Sequence, residues 1–303
     1  MSGAERAQLA AIIRRLSNPL DPQPTGVEPK LPKLEGIKAV VFDVYGTLLI
    51  SGSGDISLTS GVSKGDAAVS ALTACSLRVD MTGDELIDRL QAEIVTRHSW
   101  SEAEFPEVEI RKVWAAVFAD SGVEFLWHRK ATNAERFAIV RRFAIEYECR
   151  ANPIWLMPNV LKTLMAIRDS KLPMGIVSNA QFFTPLSMQA LFEDSLTNLG
   201  FKPEYRVWSF DHRQAKPGLF LYEESAACLY NDGITCDQVL YIGNDMRNDI
   251  WPASRVGFRT VLFAGDARSL RLRKDDPDVA GVEPDAVITD LSQILTILSL
   301  ADG

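Results

Sequence analysis

The spacing of hydrophobic residues changes character along the chain. Residues 4–16 place leucine and isoleucine at helical intervals and predict a short amphipathic helix. Residues 18–36 carry prolines at 19, 22, 24, 29 and 32, which forbid regular helix and predict an extended tether. Residues 1–36 thus read as an N-terminal helix and Pro-rich linker, an accessory to the main body. An apolar run over 37–42 then predicts a strand that stops abruptly at Asp43. From 56 to 157 apolar residues recur with helical period, as in 85–95, 109–118 and 134–147, without strand-like runs. This block predicts an inserted all-helical domain. Beyond it strands and helices alternate: helix 160–169, strand 174–177, helix 185–199, strand 205–208, helix 218–229, then strands 238–242, 259–263 and 286–288. Such alternation predicts an α/β fold, a doubly wound parallel sheet built from 37–55 and 158–303 around the helical insertion.

Composition narrows the function classes. With 303 residues, 47% hydrophobic and 24% charged, the chain is that of a folded globular protein. A net charge of −8 repels phosphodiester backbones and argues against nucleic acid as a partner. The basic run 268–274 reads as a solvated patch. Cys75, Cys149, Cys228 and Cys236 lie far apart, which suggests neither a zinc cage nor a disulfide framework and fits reduced thiols in the cytoplasm. No apolar run reaches the roughly 20 residues needed to cross a bilayer, so no membrane partner is expected.

Chemistry-bearing residues follow the predicted strands. Asp43 ends the first, with Gly46 allowing close approach of backbone to ligand; it either presents a nucleophile at a crevice rim or caps the next segment. Ser178 and Asn179 follow the second, where a hydroxyl and backbone amides suit an anionic oxygen or a turn. Lys216 precedes Pro217, which restricts its backbone and so where its ammonium points. The turn 243–249 crowds Asn244, Asp245, Asn248 and Asp249, and such crowding of carboxylates suits a hard cation or a compensating lysine.

In this order the four segments resemble the motifs of the haloacid dehalogenase superfamily, over residues 37 to 303. The resemblance implies a Rossmann-like core with a helical cap; the inserted block, hinged at the polar stretch 51–55, is either a lid that swings over the site or a purely structural insertion. It also implies a hydrolase, most often a Mg2+-dependent phosphatase that passes through an aspartyl-phosphate on a small phosphorylated metabolite. Asp43 would be the nucleophile, with Thr47 and Gly46 shaping its loop. Ser178 and Asn179 would bind substrate oxygens, and Lys216 would steady the charge. The magnesium ligands implied are Asp43, the backbone carbonyl of Tyr45, Asp245 and Asp249. A homodimer is left open. Two departures matter. Tyr45 stands where family phosphatases carry their general acid, as in the 2-haloacid dehalogenases, and tyrosine with a pKa of about 10 is a poor acid. Alignment on Gly243 puts Asn244, not Asp245, at the first motif-four ligand position. Three readings therefore stand: phosphatase, 2-haloacid dehalogenase, or a weakly catalytic ligand-binding protein. A dehalogenase would need a cap arginine to clamp its substrate, with Arg78 and Arg97 as candidates. Trp100, Trp114, Trp127 and Trp155 are expected mostly in the cap core.

Overall fold

Ala39–Phe42 is buried on both faces and forms the centre of a six-stranded parallel sheet. The computed structural model describes residues 1–52, 63–125 and 132–300. Across the sheet the order is Ala286–Ile288, Arg259–Phe263, Val239–Gly243, Ala39–Phe42, Met174–Ser178, Phe201–Trp208. Numbered along the chain, these strands lie in the order 3-2-1-4-5-6, so the winding reverses between Ala39–Phe42 and Val239–Gly243. Reversal leaves a crevice outside the carboxyl ends of those strands, and Asp43 and Asn244 open onto it. Alternation sends Val40 and Phe42 into one core and Ala39 and Val41 into another. The first is covered by Val160–Asp169 and Gln293–Ile297, the second by Phe220–Asn231 and Trp251–Arg255. Coverage on both faces is why these strands read as unbroken apolar runs. The fold is the doubly wound parallel α/β arrangement that the strand–helix alternation predicts, with the Rossmann-like core that the resemblance implies.

The insertion leaves and rejoins the core through an antiparallel neck, Leu49–Ser51 against Ile154–Leu156. Between them lie the helices Lys64–Ala74, Gly83–Ser99, Ile110–Asp120 and Asn133–Ala151. Capping boxes start two of them, Thr82 with Glu85 and Thr132 with Glu135, each satisfying orphan N–H groups reciprocally. The block is not purely helical: Leu77–Arg78 pairs with Glu124–Phe125. Trp114 fills its core, with its ring centroid 4.8 Å from Phe143 and 5.4 Å from Tyr147. Trp155 is half-buried in the neck, whereas Trp100 is 73% exposed and so is not core. Trp127 lies outside the described residues, as do 53–55 of the expected hinge. Gly52 N donates to Pro153 O at 2.7 Å beside the neck.

The N-terminal segment is more than an accessory. Helix Gly3–Leu16 buries Leu9 and Ile13 and packs on both Asn133–Ala151 of the insertion and Thr184–Phe192 of the core. Arg15 reaches Glu146, fully buried on that insertion helix, at 2.9 Å, and Arg150 holds the other oxygen at 2.5 Å. The proline-rich tether then runs over the core: Gln23 N donates to Asp266 Oδ1 at 3.0 Å, and Lys30 bridges Val287 antiparallel. A further tie joins insertion to core at 105–108. Glu107 accepts hydrogen bonds from Gln181 at 3.1 Å and Ser209 at 2.8 Å, and Ala215 N donates to Phe105 O at 2.8 Å. Among the described residues no helix is long and apolar enough to cross a membrane. One local difference from the sequence expectation is that helix Thr184–Phe192 stops early, where Glu193 turns left-handed at φ 55°.

Because Ile13 is wholly buried between the two halves, Ile13→Ala should cost about 2–5 kcal/mol, read as a lower urea midpoint with unchanged m-value. A loss below about 0.5 kcal/mol would show the helix to be a loosely attached appendage.

Candidate active site

Two neighbouring strands and the segments that follow them converge on one ammonium group. Lys216 is 5% exposed, and its Nζ donates to Asp43 Oδ1 at 2.7 Å, Asp249 Oδ1 at 2.7 Å and the Tyr241 hydroxyl at 2.8 Å. Its three N–H donors thus each have an acceptor. Asn179 holds the lysine backbone on both sides: its Oδ1 accepts from Lys216 N at 2.8 Å and its Nδ2 donates to Lys216 O at 3.3 Å. The amide expected to bind substrate therefore orients the lysine. Ser178 is fully buried, its hydroxyl near Asn179 O at 3.4 Å, and it does not line the cavity.

The motif-four turn winds wide over Met246–Ile250 before the helix Trp251–Arg255. Asp249 is enclosed by it. Besides Lys216 and Tyr241, at 2.9 Å, it accepts the backbone N–H groups of Asn244 and Asp245, each at 3.0 Å. Gly243 is required here because a Cβ would sit 2.4 Å from that of Asp249. Asp245 caps the turn, accepting from Arg247 N at 2.8 Å and Asn248 N at 3.1 Å, and its other oxygen pairs with Arg273 at 2.7 Å. Asn244 is the residue that touches motif one. Its Oδ1 accepts the Thr47 hydroxyl at 3.0 Å and its Nδ2 donates to Ser269 O at 2.6 Å. Gly46, at φ +83°, faces these groups so closely that a Cβ would meet Ser269 Cβ at 2.6 Å.

Electrostatics follow from burial. Desolvation pushes the Asp43 carboxyl up to about 6; the Lys216 ammonium pulls down and the Asp249 charge adds to the rise. For Lys216 burial works against the charge, yet Asp249 and Asp43 outweigh it and hold the ammonium above its usual range. Burial, and next the charge of Glu148, hold the Tyr45 phenol far above its ordinary range. Its hydroxyl is 2.9 Å from Thr184 Oγ1. A phenol in that state does not replace a carboxylic acid as proton donor.

The ligand set expected for magnesium does not fit a cation as arranged. Asp43 shares an oxygen with Lys216, Asp249 has two donors on each oxygen, and Asp245 is committed to its own turn and to Arg273. The position nearest motif one is a neutral amide whose oxygen already accepts from Thr47. Among the described residues no group of three or more His, Cys, Asp or Glu is placed to hold a metal.

A cavity of about 560 Å³ joins Asp43, Tyr45, Asn179, Lys216, Asp245 and Asp249 to the insertion helices. Thr47 and Gly46 stand behind it. Ile87, Leu90, Ile94 and Trp114 give it an apolar wall; Lys64, Arg271 and Arg273 bring positive charge. The run 268–274 is thus no solvated patch, since Arg268 also pairs with Asp266 at 3.1 Å. Neither arginine named as a clamp reaches the cavity: Arg78 is exposed on the short ribbon and Arg97 pairs with Glu93 at 2.7 Å. Sequence reading missed Tyr222 and Tyr241, whose hydroxyls lie 3.2 Å apart beside Lys216. The one available signal was their place in otherwise apolar runs.

Neither a protein-family model nor a curated protein sequence matches the chain. Solved structures do. A 2-haloacid dehalogenase from Pseudomonas syringae pv. Tomato DC3000 matches over 87% of this chain and 98% of its own, with 18% identity and TM-score 0.54. A HAD phosphatase from Thermococcus onnurineus matches over 86% and 98%, with 18% identity and TM-score 0.49. A predicted phosphoglycolate phosphatase from Haemophilus somnus 129PT matches over 87% and 99%, with 19% identity and TM-score 0.48. At these identities the likeness is one of fold. The chain has the haloacid dehalogenase-type fold.

A carbon-13 titration of the Asp43 carboxyl in the metal-free protein should show a midpoint near 6, not the ordinary 3.8. The ionised form is then lost as pH falls through that value. Lys216→Met removes the main opposing charge and should move the midpoint higher still; a fall would contradict the assignment of the Lys216 contact.

Proposed function

We propose that the chain is a hydrolase in which the Asp43 carboxylate displaces a leaving group and water then frees the product from the Asp43 ester. The leaving group departs as a stable anion, and the substrate class to which this reading points is a small 2-haloacid. The observation that carries it is the pair Tyr45 and Asn244. They stand where a proton donor and an anionic metal ligand would be needed for phosphate ester hydrolysis, and both are committed to Thr184, Thr47 and Ser269. A halide needs no proton to leave. Lys216 keeps Asp43 ionised at neutral pH and offsets charge during displacement. Lys64, Arg271 and Arg273 are lining side chains of a charge opposite to that of a substrate carboxylate, and the wall of Ile87, Leu90 and Trp114 suits a short alkyl group.

A magnesium-dependent phosphatase is the second reading, favoured by the gathering of Asp43, Asp245 and Asp249 around one cavity. It requires Asp245 to part from Arg273. Chloride release from chloroacetate, unaffected by chelator and abolished in Asp43→Asn, is the expected outcome. Phosphate release from para-nitrophenyl phosphate that depends on added magnesium would favour the second reading instead. Turnover of neither compound by the unaltered protein would sink the hydrolase assignment in favour of a ligand-binding protein.

A further inference from the structure

Between helices Gly83–Ser99 and Ile110–Asp120 the insertion sends residues 105–108 across to the core. They land on the stretch of chain that leads into Lys216. Ala215 N donates to Phe105 O at 2.8 Å, Glu107 N donates to Arg213 O at 3.1 Å, and Pro106 lies opposite Gln214 in an antiparallel bridge. This short ladder stops one residue before the lysine. Just beyond the lysine, a Cβ on Gly218 would meet the Phe105 ring at 3.2 Å, so the same segment touches the chain on both sides of Lys216. Arg213, within the gripped stretch, holds φ 60°, a left-handed conformation that a long side chain keeps only where its surroundings fix it.

The Glu107 side chain extends this contact to the other support of the lysine. Its Oε2 accepts the Ser209 hydroxyl at 2.8 Å, and its Oε1 accepts Gln181 Nε2 at 3.1 Å and Val108 N at 2.8 Å. Ser209 is fully buried, and its oxygen also accepts Ala180 N at 2.8 Å. Ala180 follows Asn179, whose amide brackets the Lys216 backbone. Gln181 is gripped as well, its Oε1 accepting Ile110 N at 3.0 Å while its own N–H donates to Thr184 Oγ1, the partner of the Tyr45 hydroxyl. Two routes of direct hydrogen bonds and neighbouring residues thus join Glu107 to Lys216, one through Ser209 and Asn179, the other through the ladder to Ala215.

We infer that Glu107 is a positioning residue, through which the seating of the insertion on the core sets the place of the Lys216 ammonium. It touches neither Asp43 nor any reacting atom; it acts through the lysine. With 105–108 seated, Asn179 and residues 213–215 are held, and Nζ meets Asp43, Asp249 and Tyr241. With the segment released, the left-handed turn at Arg213 and the loop after Ser178 lose partners together, and the ammonium is no longer aimed. The consequence for turnover rests on the reading of Asp43 as a nucleophile.

Contact, not charge, is what this role needs. A glutamine at 107 has the same shape: its oxygen can accept from Gln181 and Val108 N, and its NH2 can donate to Ser209, whose proton then turns to Ala180 O, 3.1 Å away. An alanine makes none of these bonds.

The test follows the Lys216 ammonium by nitrogen-15 NMR in the full chain without substrate, its signal identified by its loss in Lys216→Met. A buried ammonium with three acceptors should exchange its protons slowly with water. Glu107→Ala should speed that exchange by about tenfold or more, through loss of hydrogen bonds and easier local opening, while amides of Ala39–Phe42 stay protected. Glu107→Gln should keep the slow exchange. Ser209→Ala, which cuts one route, should give a smaller change in the same direction, and it decides the matter if Glu107→Ala does not fold. With chloroacetate, Glu107→Ala should lower kcat by about tenfold and leave KM within about twofold. Lys216 exchange unchanged in Glu107→Ala and Ser209→Ala would overturn the role of Glu107, as would a Glu107→Gln variant that exchanges as fast as Glu107→Ala. If the unaltered protein does not turn over chloroacetate, the proposed function fails and the exchange measurement still decides this inference.

Discussion

Two buried carboxylates close enough to share a cation would repel each other, and the ammonium of Lys216 between Asp43 and Asp249 is what lets them coexist.

 The constraint is geometric as well as electrostatic: Asp43 Oδ1, Asp249 Oδ1 and the Tyr241 hydroxyl all lie within 2.8 Å of one nitrogen. Removing the lysine would leave two uncompensated charges in a buried site, a loss of the kind that costs roughly 3–5 kcal/mol when a buried pair is broken. Much of the neighbouring structure serves this contact. Asn179 fixes the lysine backbone, the wide turn aims Asp249, and the reversal of strand order brings the ends of Ala39–Phe42 and Val239–Gly243 side by side. Asp43 is thereby held ionisable in a place where burial alone would neutralise it.

The neutral residues near motif one shape the site as much as the charged ones. With tyrosine at 45 and asparagine at 244, the crevice has fewer acidic groups than a metal-binding version would carry, and Arg273 answers one of those that remain. The cavity combines an apolar wall with both cationic and carboxylate side chains, Asp43 among them.

Local patterns were legible in the chain, and distant pairings were not. Strand periodicity located the sheet, with 259–263 and 286–288 matching the observed bounds, because strands covered on both faces must be apolar throughout. The abrupt carboxylate at 43 marked the site for the same reason. Asp245 and Arg273 looked like a metal ligand and a surface charge, and only their juxtaposition across 28 residues changes both readings. The tether looked like a linker because nothing near Gln23 in sequence reveals Asp266 as its partner, 243 residues away. Asn179 was placed correctly at a strand end, but the direction of its amide toward Lys216 is a tertiary fact. Glu146 and Glu148 illustrate the limit within one helix. Two residues apart they point to different sides, about 200° around the axis, yet sequence alone does not say which side faces arginines and which faces the cavity.

That helix also links the far end of the chain to the crevice. Arg15 grips Glu146 one half-turn before Glu148, while Leu9 and Ile13 seat the same N-terminal helix against the core. The amino terminus therefore sets the registration between the two walls of the cavity, much as a dowel aligns two halves of a mould. A fusion or trimming at that end, usually regarded as harmless, would alter alignment at a distance from every residue that resembles a known motif.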